Sequence, residues 1–283
     1  MFHRPLFRGD DDGRISRSCL VDRTACVAFL LLALALSAMP ERATAGPPYL
    51  TDDPDPVDYG HWEAYLFSTG TAVHGDAAGV LPAVEVNYGA LPNLHLHIQI
   101  PVAYNSQSLT GTQFGMGDAS FGAKYRFITA DKQDWWPEVA TFPMIAVPTG
   151  DEARSLGTGR THVFLPLWAL KSFGLWTTYG GGGYWINPGP GNRDFWFAGW
   201  LLQRQVTDDF ALGVELFHQS ASTTGGPGSV GFPLGSKDTT GFNIGGIYDL
   251  SEHYHLLMSA GRGFQNASDS NELSYYVALQ WTF

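Results

Sequence analysis

The sequence predicts an all-β fold, a 12-stranded antiparallel barrel that crosses a membrane with its strands. Three observations predict it. Apolar and polar residues alternate with a period of two along most of the chain. The links between the alternating stretches switch regularly between short and long. The last stretch, 273–283, carries Leu273, Tyr275, Val277, Leu279, Trp281 and Phe283 on one face, with smaller or more polar residues between them. Mean hydropathy near zero fits such a barrel, because lipid-facing and lumen-facing residues cancel in any average.

The chain begins with a targeting segment. Arg14, Arg17 and Arg23 precede an apolar run at 26–36, and Ala43-Thr44-Ala45 follows. A basic region, a short apolar core and an A-x-A site describe a secretory signal peptide over 1–45, cleaved after Ala45. The run falls short of the about 20 apolar residues that a membrane helix needs. Both cysteines, Cys19 and Cys26, lie in the removed part. The mature chain therefore has no disulfide, thiol nucleophile or cysteine metal ligand to offer. A net charge of −11 argues against nucleic acid as a partner.

Residues 46–60, G-P-P-Y-L-T-D-D-P-D-P-V-D-Y-G, are proline-rich and acidic and suit neither helix nor strand. They are expected to form an ordered N-terminal segment in the periplasm, ahead of a barrel over 61–283. Asp52, Asp53, Asp55 and Asp58 could hold a calcium ion, but prolines interrupt them and no known loop spacing fits.

Twelve strands are expected, beginning at 61–68, 80–90 and 94–102. Val84, Val86 and Tyr88 oppose Glu85 and Asn87, and Leu94, Leu96, Ile98 and Ile100 oppose His95, His97 and Gln99. Phe121, Ala123, Tyr125 and Phe127 then oppose Ser120, Gly122, Lys124 and Arg126. Stretches 136–148 and 162–171 contain Pro137, Pro143, Pro148 and Pro166, which remove ladder hydrogen bonds and call for bulges or bends. In 175–186 the glycines at 180–183 point to curvature or close backbone approach; no strand-to-helix transition follows that would make them a phosphate loop. Regular alternation returns in 194–206, 210–220, 240–250, 254–264 and 273–283. Short links at 91–93, 172–174, 207–209 and 251–253 alternate with longer ones at 103–115, 149–159 and 221–239, as periplasmic turns and extracellular loops do. Link 129–135 is long for its side.

A chain that ends on Phe283, behind Tyr275, Val277, Leu279 and Trp281, resembles the closing strand of bacterial outer-membrane barrels. That resemblance implies that these five residues are an assembly signal read by the barrel-assembly machinery. The motifs P-P-Y-L-T-D-D-P-D-P-V-D-Y-G-H-W-E (47–63), P-T-G-D (148–151), L-P-L-W-A-L-K-S-F-G (165–174), Y-G-G-G-G-Y-W (179–185) and L-L-M-S-A-G-R-G (256–263) resemble a family of outer-membrane barrels. The family is assigned to the meta-cleavage pathway of phenol degradation, or described simply as transporter-like. The resemblance spans nearly the whole mature chain, implies the outer membrane of a Gram-negative bacterium, and supplies no catalytic residues.

Strand parity turns Glu63, Glu85, Asn87, His95, His97, Gln99, Asp118, Lys124, Arg126, Glu215, Asn243 and Asp249 towards the lumen. His95 and His97 have the i, i+2 spacing of a zinc pair, but nothing beside them completes a site, and lumen lining is the simpler account. Trp62, Trp136, Trp196, Trp200, Trp281 and Tyr275 read as interfacial girdles before a sugar-stacking track. H-Q-S at 218–220 is the one enzyme-like signal: His218 and Ser220 share a face and could act as base and nucleophile. The motif is similar to the active strand of outer-membrane phospholipases, with Ala221 where those have Asn. The reading that follows is a porin-like channel for small molecules, aromatic or hydrophobic ones among them, with no cofactor and no metal. Lipids and lipopolysaccharide would surround it. The alternatives are a lipid hydrolase built on His218 and Ser220, and a structural barrel that conducts nothing.

Overall fold

A strand with one apolar face is stable in hydrocarbon only if its backbone is fully paired and no sheet edge stays open. The computed structural model, which describes residues 48–109, 111–131, 134–223 and 235–283, meets that condition by closing a sheet on itself. Twelve staves build the wall: β1 (Trp62–Val73), β2 (Asp76–Leu91), β3 (Leu94–Gln107), β4 (Gly111–Met116 and Ala119–Ile128), β5 (Glu138–Thr141 and Met144–Val147), β6 (His162–Phe173), β7 (Trp176–Ile186), β8 (Phe195–Thr207), β9 (Phe210–Gln219), β10 (Thr239–Asp249), β11 (Tyr254–Gln265) and β12 (Leu273–Thr282). Each pairs antiparallel with the next. β12 returns to β1 from Glu63↔Thr282 to Ala72↔Leu273, which closes the barrel. The expected signal peptide lies outside the described residues.

Outward side chains form a continuous apolar belt. Leu66, Val84, Leu96, Leu167, Val214, Ile244 and Leu279 all face away from the bore and are exposed. At the end that carries the C-terminus, aromatic rings bridge the β12–β1 seam. Phe283 stacks on Trp281 at 4.3 Å and on Trp62 at 6.5 Å, and Trp62 meets Tyr88 at 4.3 Å. Such a belt with an aromatic rim is the surface of a membrane-spanning barrel.

Two staves are irregular, for different reasons. β5 keeps one register against β6 throughout, from Glu138↔Leu170 to Ala146↔His162. Its gap at Phe142-Pro143 is a local loss of ladder bonds where Pro143 has no N–H to give. β4 instead changes register against β3: Val102↔Met116 belongs to one frame and Gln99↔Ser120 to the next. One extra residue at Gly117-Asp118 reverses which side chains face outward, from even numbers (Phe114, Met116) to odd (Phe121, Tyr125, Phe127). The bulge turns Asp118 inward, beneath the link between β5 and β6. In the glycine run, Gly181 has φ +153°, and an added Cβ would sit against the Leu167 carbonyl. The close approach of β6 to β7 requires glycine there.

Two sequence expectations need correction. Residues 103–115 are not a loop: they extend β3 and β4 as a paired hairpin from Ala103↔Gly115 to Gln107↔Gly111, with a turn at 108–109. Polar residues occupy both faces there, so the period-two signal fades while the pairing continues. Nor do residues 48–58 lie in the periplasm ahead of the barrel. They thread into the bore, where Tyr49, Thr51, Asp53 and Val57 are buried. The acidic residues that make this segment read as solvated linker are the ones that find cations on the inner wall.

Candidate functional site

The bore is the candidate site, and its lower half is organised by the inserted segment 48–58, here called the strap. Prolines 54 and 56 keep it extended and leave fewer backbone donors to satisfy. Asp53 and Asp55 N–H bond within the strap to Asp52 and Asp53, and the wall takes up three more donors. The Glu215 carboxylate on β9 accepts the N–H groups of Thr51 (2.5 Å) and Leu50 (3.3 Å) and the Asn243 amide (2.6 Å). Val57 N–H donates to His95 Nδ1 at 3.0 Å, and Ser259 donates to the Pro48 carbonyl.

Ion pairs fix the strap sideways. The Nζ of Lys124, a residue only 4% exposed, lies 3.0 Å from Asp52 and 3.5 Å from Asp53, above the Phe142 ring. Arg126 reaches Asp55 and Glu138, each at 2.6 Å. Replacing Lys124 by Met would leave Asp52 and Asp53 without their shared cation. Breaking a buried pair from one side costs roughly 3–5 kcal/mol. Limited proteolysis of folded Lys124→Met should therefore cut within residues 48–58, while the wild-type strap stays protected.

Two cavities lie in series. The first, about 460 Å³, is walled by the strap together with Glu63, Glu85, Asn87, His95, His97, Lys124 and Arg126. The second, about 230 Å³, lies towards the loop end, under the link between β5 and β6. Gln99 and Met144 belong to both and mark where they meet. Asp118 anchors the roof of the second cavity. One oxygen accepts Gly150 N–H at 2.9 Å, and the other accepts the N–H (2.8 Å) and hydroxyl (2.7 Å) of Thr158. Thr149 Oγ1 adds a bond to the Gly117 carbonyl and accepts Ala119 N–H, each at 2.8 Å.

The residues singled out from sequence divide among three tasks. Glu85, Asn87 and His97 form an inner-wall chain, with Asn87 donating to Glu85 (2.9 Å) and facing His97 Nδ1 (2.8 Å). Glu63 accepts from Tyr65 at 3.0 Å, and Asp249 meets His255 at 2.6 Å. Lys124, Arg126, His95 and Glu215 hold the strap, with Asn243 bracing Glu215. Asp118 holds the roof. Three of the four acidic residues weighed for calcium are paired instead: Asp52, Asp53 and Asp55 face Lys124 and Arg126. Among the described residues no three metal-ligating side chains converge. His218 and Ser220 do not engage each other. His218 Nδ1 bonds Thr240 (2.9 Å), and Ser220 Oγ accepts Trp196 N–H (2.9 Å).

Sequence reasoning missed an interior aromatic group, Phe142, Phe164, Trp168, Trp185, Phe195, Phe197 and Phe217. The even-numbered inward parity of β5 and the beginning of β6 could have shown Phe142, Phe164 and Trp168. The proline breaks obscure it.

A family model described as "Putative MetA-pathway of phenol degradation" matches residues 65–280. The chain belongs to this family. The phenol-degradation family match runs from within β1 to within β12, so it takes in the whole wall except its two ends. No curated protein matches the chain in sequence. In structure the barrel is similar to an outer-membrane channel from Pseudomonas putida F1, with TM-score 0.64 at 15% identity, over 85% of this chain and 100% of that one. It is also similar to the KdgM porin (TM-score 0.51, 9% identity, 77% of this chain and 99% of the porin). The NanC porin gives TM-score 0.51 at 7% identity, over 78% and 98%. The shared feature is the fold, that of outer-membrane channels and porins.

Proposed function

We propose that this barrel is an outer-membrane channel for the passive passage of small molecules, with aromatic or hydrophobic growth substrates as its cargo. The observation that carries the reading is the pair of cavities in series along the bore, a polar one near the termini and a more apolar one under the loops. The family's link to phenol degradation and the fold's likeness to an outer-membrane channel and to porins support it. Lipids and lipopolysaccharide surround the belt in this reading, and the barrel-assembly machinery inserts it. No chemical step is assigned, because His218 and Ser220 are each bonded elsewhere.

The larger cavity sets the sign of ion selectivity. Its walls carry Asp52, Asp53, Asp55, Asp58, Glu63 and Glu85 against Lys124 and Arg126. A confined bore with excess carboxylate concentrates cations, and screening weakens this as the Debye length shrinks with salt. Purified protein in planar bilayers should therefore give discrete conductance steps with a cation-selective reversal potential. Glu63→Gln with Glu85→Gln should reduce that selectivity, and neither residue holds the strap. Absence of conductance would sink the channel reading, and anion preference would sink the electrostatic one.

A further inference from the structure

Beneath the link between β5 and β6, the 230 Å³ chamber differs from the cavity below it. Its wall is mostly apolar, with Phe67, Trp185 and Phe195 supplying ring faces and Val80, Pro101 and Met144 filling between them. Leu156, fully buried, dips into it from the roof. An apolar protein cavity of about 150 Å³ is enough to take up benzene. The chamber thus has room for one substituted ring.

Its polar groups narrow the choice. No Lys or Arg lines it, so an anionic ligand would carry an unpaired charge into low dielectric. Its one carboxylate, Asp118, already accepts three hydrogen bonds from the roof, which leaves little for an ammonium group. His162 is different. It stands at the first position of β6, is 3% exposed, and its Nε2 has no hydrogen-bond partner among the described residues. A buried ring nitrogen left unpaired costs free energy that a bound polar group would recover. A neutral imidazole nitrogen is a donor in one tautomer and an acceptor in the other, and a hydroxyl can answer either.

We infer that this chamber is a binding site for a single-ring aromatic molecule bearing one neutral hydroxyl, with His162 as its polar anchor and the aromatic wall holding the ring. The inference deepens the channel reading, on which the ligand's route of entry rests: the chamber is where a phenol-like solute pauses between the loops and the lower cavity at Gln99 and Met144.

The test is a fluorine NMR titration of the purified full-length barrel in detergent with 4-fluorophenol, fluorobenzene and 4-fluorobenzoate. Saturable one-to-one binding of 4-fluorophenol is expected. Fluorobenzene should bind roughly five- to tenfold more weakly, the worth of one hydrogen bond. 4-Fluorobenzoate should show no saturable binding. His162→Leu should lower 4-fluorophenol affinity to that of fluorobenzene. Ala146→Phe should fill the chamber and remove binding of both; Ser120→Phe serves the same purpose if the first variant fails to show the heat-modifiable gel mobility of a folded barrel. Equal binding of fluorobenzene and 4-fluorophenol, or binding untouched by His162→Leu, overturns the anchor. Lack of saturable binding, or its survival in a folded filled-chamber variant, overturns the site. Conductance of the same preparation is read separately: binding without conductance removes the channel and keeps the site, and conductance without binding does the reverse.

Discussion

Deleting residues 48–58 should raise single-channel conductance severalfold and shift selectivity away from cations. The strap fills part of the bore from Ser259 across to Arg126, and current scales with the open cross-section that remains. Barrels of about 8 strands are filled by their own side chains, and those of 16–18 leave an aqueous channel. At twelve strands the inserted segment decides between a narrow path and a wide one. The lost carboxylates account for the change in selectivity. Removal takes away Asp52, Asp53, Asp55 and Asp58 and leaves Lys124 and Arg126 facing water with fewer partners, Arg126 keeping Glu138. Planar-bilayer recordings of the deletion variant beside the wild type measure both quantities. Unchanged conductance would mean that the strap does not limit the path.

Deleting Phe283 should reduce the folded, membrane-inserted protein by an order of magnitude or more. The residue closes the seam by a reciprocal pair of backbone bonds: Trp62 N–H donates to the Phe283 carbonyl at 2.7 Å, and Phe283 N–H donates to the Trp62 carbonyl at 3.0 Å. Its ring lies against both Trp62 and Trp281. Leaving a paired backbone group without its partner costs about 1–3 kcal/mol, and about 1.4 kcal/mol already changes a population tenfold. Heat-modifiable gel mobility of membrane fractions reports the folded share. Phe283→Leu keeps the backbone pair and removes only the aromatic stack, so it should retain much more folded protein than the deletion. Equal loss in both would assign the effect to the ring and its recognition during assembly.

Much of the wall was legible in the sequence because a period of two is a direct consequence of strand geometry. Twelve alternating stretches correspond to twelve staves, and parity alone puts Glu85, His95, His97 and Lys124 on the inner face. What was not legible came from contacts distant along the chain. Asp52 and Asp53 find Lys124, and Asp55 finds Arg126, about seventy residues later. Nothing local to P-P-Y-L-T-D-D-P-D-P tells a periplasmic lead-in from a segment that enters a barrel. The hairpin at 103–115 escaped because its polar residues lie on both faces, so pairing continued where the pattern had stopped. The extra residue at Gly117-Asp118 left no mark either, since M-G-D reads equally well in both frames. With it went the roof anchor: Asp118 was legible as an inward acid, but its two partners, Gly150 and Thr158, belong to a link more than thirty residues away.

The strap's partners also imply an order of events in folding. Val57 bonds His95, 38 residues away, and Lys124 bonds Asp52, 72 residues away. Both wall residues belong to β3 and β4, the early part of the sheet. The contacts with Glu215 and Ser259 span 164 and 211 residues and come from staves made much later. Closing a short loop costs less entropy than closing a long one, so the nearer set is available first. The strap can dock on a curved sheet of β1 to β4 while the remainder of the wall is still unformed. Lys124 and Arg126 would otherwise stand on that young sheet as bare cations. On that order the strap would serve as an internal template around which the late staves close.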